Sequence, residues 1–326
     1  MKLSAKKTLI HGALAAVLAS TVVASSVAVA ADSTADKPPV RIAFVTHGQA
    51  GDSYWNALKK GMEDAAKETG AKVSYQAPEA FDPIAMSRMI DAAVAAKVNG
   101  LVVSVPDANA LQKSIQAANA AGIPVIVVDS GENDVKKVGA KFYIGSAAEY
   151  DAGKQAGIRF KEAGVKNPIC LNHEVGNVSI DDRCRGFKDG MDGNAPQVAM
   201  TMDPTDVTSR VGAYLASHPN VDGILATSSS VANVLINDLR KKGTLTKYKF
   251  GSFDVSPELL EGVAKGDVFF ALDAQQYMMG YLPVVMLNNN AKFGVMPLNN
   301  IYTGPLFVNN KKDAETVLNL SKQGYR

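Results

Sequence analysis

The sequence predicts an α/β protein made of two doubly wound lobes, each with a parallel sheet. Short runs of β-branched and apolar residues alternate with longer amphipathic stretches beyond residue 39, and this alternation is typical of βα units. Several of the short runs are apolar throughout, as strands of a parallel sheet are when both faces are covered. About a dozen such runs are too many for one ordinary twisted sheet, so two lobes are expected.

The first 39 residues predict an export signal followed by a short leader. Three lysines and no acid precede an apolar run over residues 9–30, which ends in Ala-Val-Ala. A basic start, an apolar middle and a small-residue end are the parts of a secretory signal peptide. We therefore expect a signal peptide over 1–30, a polar leader over 31–39 and a bacterial periplasmic location. The alternative is a retained membrane anchor, which the glycine, serine and threonine residues within the run disfavour.

The elements of the first half have local signals. Apolar residues recur on one helical face of 53–69, and Gly70 ends that helix. Asp82 is a suitable N-cap with Pro83 at the first helical position. Strands are expected at 40–46, 72–76, 101–105 and 125–128, and helices at 53–69, 82–96 and 108–121.

The pattern restarts near residue 142, which divides the chain. Strands are expected at 142–144, 169–172, 198–202, 224–226, 249–252, 269–272 and 301–308. Helices are expected at 147–163, 207–217, 231–242, 275–289 and 313–322. The resulting lobes are an N-terminal one of 40–144 plus 275–302 and a C-terminal one of 145–274 plus 303–326. The chain would cross between them near 143–147, 272–275 and 301–304.

Composition and motifs exclude several functions. Beyond residue 30 the chain has 31 basic and 32 acidic residues, whereas a nucleic-acid binder needs a basic stripe. Two cysteines, and three histidines beyond residue 30, argue against a metal centre, and no cofactor is expected. The sequence has no G-x-S-x-G, P-loop or H-E-x-x-H motif, so an enzyme is the least favoured class.

The two cysteines suggest a disulfide. Cys170 lies in a predicted strand and Cys184 follows 14 residues later. In an oxidising compartment a bond between them is expected, and it would contribute up to about 3 kcal/mol by closing the loop. The alternative is two separate buried thiols.

Polar and aromatic residues follow the predicted strands, where ligands of parallel sheets bind. The candidates are Thr46, His47, Asp52, Tyr54, Trp55, Asp129, Ser130, Asn172, Arg183, Ser228, Asp254, Asp273 and Gln275. Groups that bond hydroxyls, together with aromatic faces, describe a sugar site. Asp52 and Asp129 could instead be helix N-caps, and Trp55 could be core. Asp254 and Asp273 follow apolar strands, where a buried charge is costly without partners.

Five segments resemble the periplasmic sugar-binding proteins of ABC transporters, in particular the ribose- and galactose-binding group. The segments are RIAFVTHGQAGDSYWNALKKGMEDAAKETG (41–70), IPVIVVDSG (123–131), DDRCRGF (181–187), FGSFDVSPE (250–258) and FFALDAQQYMMGYLPV (269–284). The resemblance spans about residues 41–312. It implies the type I periplasmic binding protein fold, with a three-segment hinge that lets the lobes close on a sugar. It also implies an ABC permease and its ATPase as partners of a monomer.

The resemblance assigns roles to individual residues. Sugar contacts are implied for Asp52, Tyr54, Trp55, Asp129, Arg183 and Asp254, and a hinge-proximal contact for Asp273 or Gln275. Ser130 and Ser228 stand where ribose binders have Arg and Asn, so the resemblance does not imply ribose itself as the ligand. Arg183 faces several acids in this set, which makes an anionic ligand costly. A neutral monosaccharide or polyol fits, and an amino sugar is also compatible.

The expected function is therefore capture of a neutral sugar or polyol and its delivery to a permease. The alternative is a periplasmic receptor for a sugar or furanose signal in chemotaxis or signalling, because the same fold serves both. A repressor of this fold would need an N-terminal helix-turn-helix, and a signal peptide is predicted there instead.

Overall fold

The computed structural model describes residues 38–48, 52 and 54–326, which form two parallel-sheet lobes. The predicted signal peptide and residues 31–37 of the leader lie outside the described residues. The α/β class and the two doubly wound lobes are confirmed. Among the described helices, none is both long and apolar enough to span a membrane.

The strands in chain order are β1 Arg41–Val45, β2 Lys72–Gln76, β3 Gly100–Val103, β4 Val125–Val128, β5 Tyr143–Ser146, β6 Pro168–Asn172, β7 Gln197–Ala199, β8 Gly223–Ala226, β9 Lys249–Phe253, β10 Phe270–Asp273, β11 Ile301–Gly304 and β12 Leu306–Val308. The helices are α1 Tyr54–Thr69, α2 Pro83–Ala95, α3 Ala108–Ala120, α4 Val135–Val138, α5 Glu149–Glu162, α6 Val178–Gly190, α7 Pro204–Ser217, α8 Ser229–Lys241, α9 Pro257–Lys265, α10 Gln276–Phe293 and α11 Lys311–Lys322. Asp82 caps α2 and Pro83 is its first residue, as predicted.

Each lobe is one six-stranded sheet with helices on both faces. The N-terminal sheet has the order β11-β5-β4-β3-β1-β2, and the C-terminal sheet has the order β12-β10-β9-β8-β6-β7. The pairings are parallel except that β12 runs antiparallel to β10. Central strands such as β4 are buried along their whole length, because helices cover both faces of the sheet.

Three crossings connect the lobes. The first lies between β5 and α5, where Ala148 has a φ of 48°, and the second between β10 and α10, where Gln275 has a φ of 55°. The third joins β11 to β12. The prediction of one strand over 301–308 is wrong, because Pro305 separates two strands that belong to different sheets. Proline has no N–H to donate, so a strand is readily interrupted there.

Close helix packing positions α6 beneath the C-terminal sheet edge. A Cβ on Gly186 of α6 would lie 1.9 Å from the carbonyl oxygen of Tyr150 in α5, so only glycine permits this approach. Cys170 of β6 and Cys184 of α6 form a disulfide, which confirms the predicted pairing. Arg183 lies in the middle of α6, a helix that is not among those expected from the sequence.

Candidate binding cleft

A buried cleft lies between the two lobes, at the carboxyl ends of the central strands. Both lobes contribute polar side chains, and the aromatic ones come from α1 and from the histidines that follow β1 and β6. The lining residues are His47, Tyr54, Trp55 and Asp129 from the N-terminal lobe and His173, Glu174, Asn177, Ser179, Ile180, Arg183, Thr227, Ser228 and Asp254 from the C-terminal lobe.

The N-terminal lobe forms an aromatic wall. The ring of Trp55 meets His47 edge-on at 5.0 Å and Tyr54 at 5.1 Å between centroids. His47 Nδ1 lies 2.7 Å from the hydroxyl of Ser104, which fixes the ring. Burial lowers the pKa of His47 despite the charge of Glu174 nearby, so the ring is neutral near pH 7.

Two aspartates face the cleft from opposite lobes in the same backbone conformation. Asp129 follows β4 and Asp254 follows β9, and each has a φ of 64°, a conformation that aspartate adopts more readily than most residues. Asp129 accepts the hydroxyl hydrogen of Tyr54. Burial raises the pKa of Asp129, and it raises the pKa of Asp254 well above its usual range, although the charge of Arg183 opposes both shifts.

Arg183 is held by a partner that the sequence analysis missed. Its Nε and Nη2 donate to the two carboxylate oxygens of Glu149 at 2.7 and 3.1 Å, and its Nη1 donates to the carbonyl of Thr227 at 2.8 Å. The guanidinium lies over the ring of Phe253, 4.5 Å from its centroid. Asp254 Oδ2 is 3.9 Å from Nη1, so the main counter-ion of Arg183 is Glu149.

The loop before α6 adds a third carboxylate to the cleft, that of Glu174, and links the lobes. Glu174 accepts from Asn177 Nδ2 at 2.7 Å, and its Oε2 lies 3.7 Å from His47 Nε2 of the other lobe. Asn177 Oδ1 caps α6 and accepts from Ser130 Oγ of the N-terminal lobe at 2.9 Å. The lobes are therefore in direct contact around the cleft.

Several predicted site residues lie beside the cleft rather than on its wall. Thr46 Oγ1 bonds Tyr75, and Asn172 Nδ2 donates to Asp181. Ser130 bonds Asn177 across the lobes. At the second crossing Asp273 accepts from the N–H of Gln275 and pairs with Arg326 at 3.0 Å.

The capping alternative holds for Asp52, whereas the side chain of Asp129 accepts from the hydroxyl of Tyr54 rather than from a helix N–H. Asp52 accepts from the N–H of Tyr54 at 3.1 Å at the start of α1, and also from Ser230 Oγ of the other lobe at 2.8 Å. Ser228 caps α8 while lining the cleft. A cap and a ligand contact are therefore compatible at one position, because the helices begin at the cleft.

The missed residues had unequal sequence signals. Glu174 and His173 directly follow β6 and could have been found from that position alone. Glu149 gave no such signal, because an acid in the first turn of a helix is common on favourable dipole grounds. Only the packing of α5 on α6 brings its carboxylate to Arg183.

Comparisons with known proteins agree with this geometry. A family profile described as periplasmic binding protein domain matches residues 42–294. A xylose/arabinose-binding protein, XylF, of Sulfolobus acidocaldarius is 26% identical over 293 residues, or 84% of this chain and 72% of that protein.

Solved structures extend the comparison. A carbohydrate transporter protein from Acidothermus cellulolyticus 11B, crystallised with myo-inositol, is 30% identical with a TM-score of 0.83, covering 89% of this chain and 100% of that one. A periplasmic sugar-binding protein of a Legionella pneumophila ABC transporter is 28% identical with a TM-score of 0.76, covering 81% and 99%. The matched relatives are binding proteins, which confirms the expectation of a binding protein rather than an enzyme. The chain therefore belongs to the periplasmic binding protein family, and its two parallel-sheet lobes have the type I form of that fold.

Proposed function

We propose that this protein captures a neutral monosaccharide or polyol in the cleft and delivers it to an ABC permease and its ATPase. The observation that carries the proposal is the convergence of Asp129, Glu174 and Asp254 with the rings of Tyr54 and Trp55 between two lobes. Carboxylate oxygens accept hydrogen bonds from hydroxyl groups, and aromatic faces pack against C–H surfaces. Because Glu149 already pairs with Arg183, the cleft holds no surplus cation for an anionic ligand.

The relatives support a neutral polyhydroxy ligand. The Sulfolobus protein is named for xylose and arabinose, and the Acidothermus structure contains myo-inositol. None of these compounds is charged. We propose direct ligand contacts for Asp52, Tyr54, Trp55, Asp129, Arg183, Ser228 and Asp254, with Glu174 and Asn177 in addition.

The hinge completes the proposal. Bending at Ala148 and Gln275 and between β11 and β12 would separate the lobes. Because β5 and β11 lie whole in the N-terminal sheet, the N-terminal lobe would end its segments at Ser146 and Gly304 rather than at the expected residues 144 and 302. Ser130 would then hold the closed state through Asn177, and Asp273 would brace the hinge through Arg326. The mature protein would be a periplasmic monomer after removal of residues 1–30.

A fluorescence titration of the mature protein tests the function, because Trp55 is the only tryptophan in the chain. The panel pairs each neutral ligand with an anionic counterpart: glucose with glucuronate, galactose with galacturonate, ribose and arabinose with their 5-phosphates, and myo-inositol with its 1-phosphate. We expect one neutral ligand to saturate the signal and raise the melting temperature. Absence of both effects for every neutral ligand, or tighter binding of an anionic one, would refute the proposal.

A further inference from the structure

Glu149 and the backbone of Thr227 together engage every nitrogen of the Arg183 guanidinium. Nε and Nη2 bind the Glu149 carboxylate, and Nη1 binds the carbonyl of Thr227. Both side chains are buried, with 5% of Arg183 and 7% of Glu149 exposed. In so dry a setting the charge of a bidentate partner is screened little by solvent. The pair therefore presents almost no net charge to its surroundings.

Glu149 lies behind the cleft rather than on its wall. Arg183 lines the cleft, whereas Glu149 lines a smaller neighbouring cavity with Val178 and Asp182, and only Ser179 lines both. A ligand could thus contact the guanidinium and never touch the carboxylate that neutralises it. Glu149 would therefore act on the ligand through its charge, by offsetting that of Arg183, and not by contact.

The other titratable groups of the cleft supply no cation. Asp129, Glu174 and Asp254 are carboxyl groups, and burial lowers the pKa of both lining histidines. An anionic ligand would meet these carboxyl groups without a free cation, and each one that is ionised would repel it at close range.

We propose that Glu149 is a positioning residue that sets the charge selectivity of the cleft by neutralising Arg183. The inference rests on the proposed function and names the residue that excludes sugar acids and sugar phosphates. With Glu149 uncharged, the cleft would gain one unit of positive charge, and only the more distant Asp254 would offset the charge of Arg183. Asp254 lies 3.9 Å from Nη1, so the folded state would keep a partner for the guanidinium.

The test measures affinities of the wild type and Glu149→Gln for the tightest neutral ligand and its anionic counterpart from the panel. Titration calorimetry gives the ratio of the two dissociation constants, and steric differences between the ligands cancel when variants are compared. We expect Glu149→Gln to reduce the preference for the neutral ligand by about tenfold or more, chiefly by strengthening anion binding, since one unit charge has been removed near the site.

Two control variants test whether the charge at Glu149 is what sets the preference. The first keeps that charge on a side chain of different length, and the second changes the net charge of the protein at another position. Glu149→Asp keeps the charge on a shorter side chain, so it should keep the wild-type preference within about threefold even where neutral affinity falls. Asp189→Asn removes a carboxylate that also joins α6 to α5, through the hydroxyl of Tyr150, but this one is exposed. Solvent screens its charge, so the preference should again stay within about threefold of wild type.

The outcomes distinguish the inference from the function. An unchanged preference in Glu149→Gln, or a lost preference in Glu149→Asp, would overturn the role of Glu149 while neutral binding by the wild type upheld the function. The second result stays decisive where Glu149→Gln fails to fold. A wild type that binds no neutral ligand would overturn both.

Discussion

The two lobes repeat one plan and fill it with different chemistry. Their strand orders correspond position by position. A histidine follows the first strand of each lobe, His47 and His173, and an aspartate with a φ of 64° follows the fourth, Asp129 and Asp254. The helices that follow the two histidines differ. The helix after His47 is α1, which presents the aromatic wall, whereas the helix after His173 is α6, which presents Arg183 with Glu149 behind it.

The helix pairs that support the two sides of the cleft also differ, in the number of glycines at which they pack closely. In the N-terminal lobe α1 and α10 approach through one glycine each, Gly61 and Gly280. In the C-terminal lobe α5 and α6 approach through two glycines each, Gly153 and Gly157 in α5 and Gly186 and Gly190 in α6. The disulfide from Cys170 to Cys184 ties α6 to its sheet, and no corresponding bond ties α1.

This difference follows from what each wall must hold. Aromatic rings keep their affinity for C–H surfaces over a range of offsets, so α1 tolerates looser support. A buried bidentate ion pair is favourable only with good geometry, because its desolvation cost is high. The more rigid frame is therefore found where Arg183 and Glu149 meet.

The largest expected effect comes from adding one methyl group to that frame. A Cβ at position 186 would lie 1.9 Å from the carbonyl oxygen of Tyr150, and backbone cannot yield locally. We expect Gly186→Ala to lower the free energy of unfolding by about 3 kcal/mol or more. It should also abolish binding of the neutral ligand, since α6 carries Arg183, which lines the cleft. Urea unfolding and calorimetry measure the two effects.

Two further glycines calibrate this result. Gly280→Ala places a Cβ 1.9 Å from the carbonyl oxygen of Leu58, so it should destabilise similarly and displace Trp55, with a changed fluorescence spectrum. Gly212 in α7 has open space around its Cβ position, so Gly212→Ala should stabilise by about 0.5–1 kcal/mol. A Gly186→Ala variant as stable as Gly212→Ala would contradict the close packing of α5 on α6.

The disulfide gives the second effect. Replacing both Cys170 and Cys184 by alanine should lower the free energy of unfolding by about 3 kcal/mol, as expected for a loop of this length. The difference between the wild type and the double variant should be seen only under oxidising conditions. A reductant should lower the melting temperature of the wild type to that of the variant. A double variant that melts with the oxidised wild type would show that the bond adds no stability.

Much of the candidate site could be predicted from the position of residues at the ends of strands. Asp129 and Asp254 were found because each follows an apolar strand, and the carboxyl ends of parallel strands meet at one edge. The same rule brought in Asp273, which the structure pairs with Arg326 at the hinge. Position after a strand locates an edge of the sheet, but it does not say on which side of the edge a side chain lies.

The helix that carries Arg183 shows what spacing cannot reveal. α6 is not among the expected helices, although it buries apolar side chains at Ile180, Cys184 and Phe187. Among them it also buries the side chain of Arg183 and two glycines, which interrupt the apolar pattern by which other helices were predicted. Its contact with the carboxylate of Glu149 arises from the packing of α5 on α6, which residue spacing does not show.

The third effect is a pH dependence of the free energy of unfolding, which distinguishes the buried histidine His173 from the buried carboxylates. Burial lowers the pKa of His173 from 6.5 to about 3, so the unfolded chain takes up a proton that the folded protein refuses. The stability from this residue is complete above about pH 6.5 and is lost as the pH falls towards 3. Between pH 7 and 5 the loss should be about 2 kcal/mol.

The comparison with His173→Gln isolates this contribution. Buried carboxylates such as Asp254 have raised pKa values and act in the opposite direction, but they are common to both proteins. The wild type should therefore lose about 2 kcal/mol more than His173→Gln over this interval. His218→Gln, at an exposed position, should follow the wild type. Equal losses of unfolding free energy in all three proteins would show that folding does not lower the pKa of His173.

The smallest effect tests the aromatic wall. Tyr54→Phe removes the hydroxyl that donates to Asp129 but keeps the ring, so affinity for the neutral ligand should fall about fivefold to tenfold, or about 1 kcal/mol. Tyr75→Phe removes a hydroxyl that bonds Thr46 away from the cleft, and affinity should change less than about twofold.

The preference for the neutral ligand over the anion should be the same in Tyr54→Phe as in the wild type, because no charge has been removed. Trp55 fluorescence follows both titrations. If Tyr54→Phe altered the preference as strongly as Glu149→Gln, selectivity would not be confined to the C-terminal lobe. With the expected result, the loosely framed wall of α1 determines how tightly a ligand binds, and the rigidly framed pair behind α6 determines which charge it can carry.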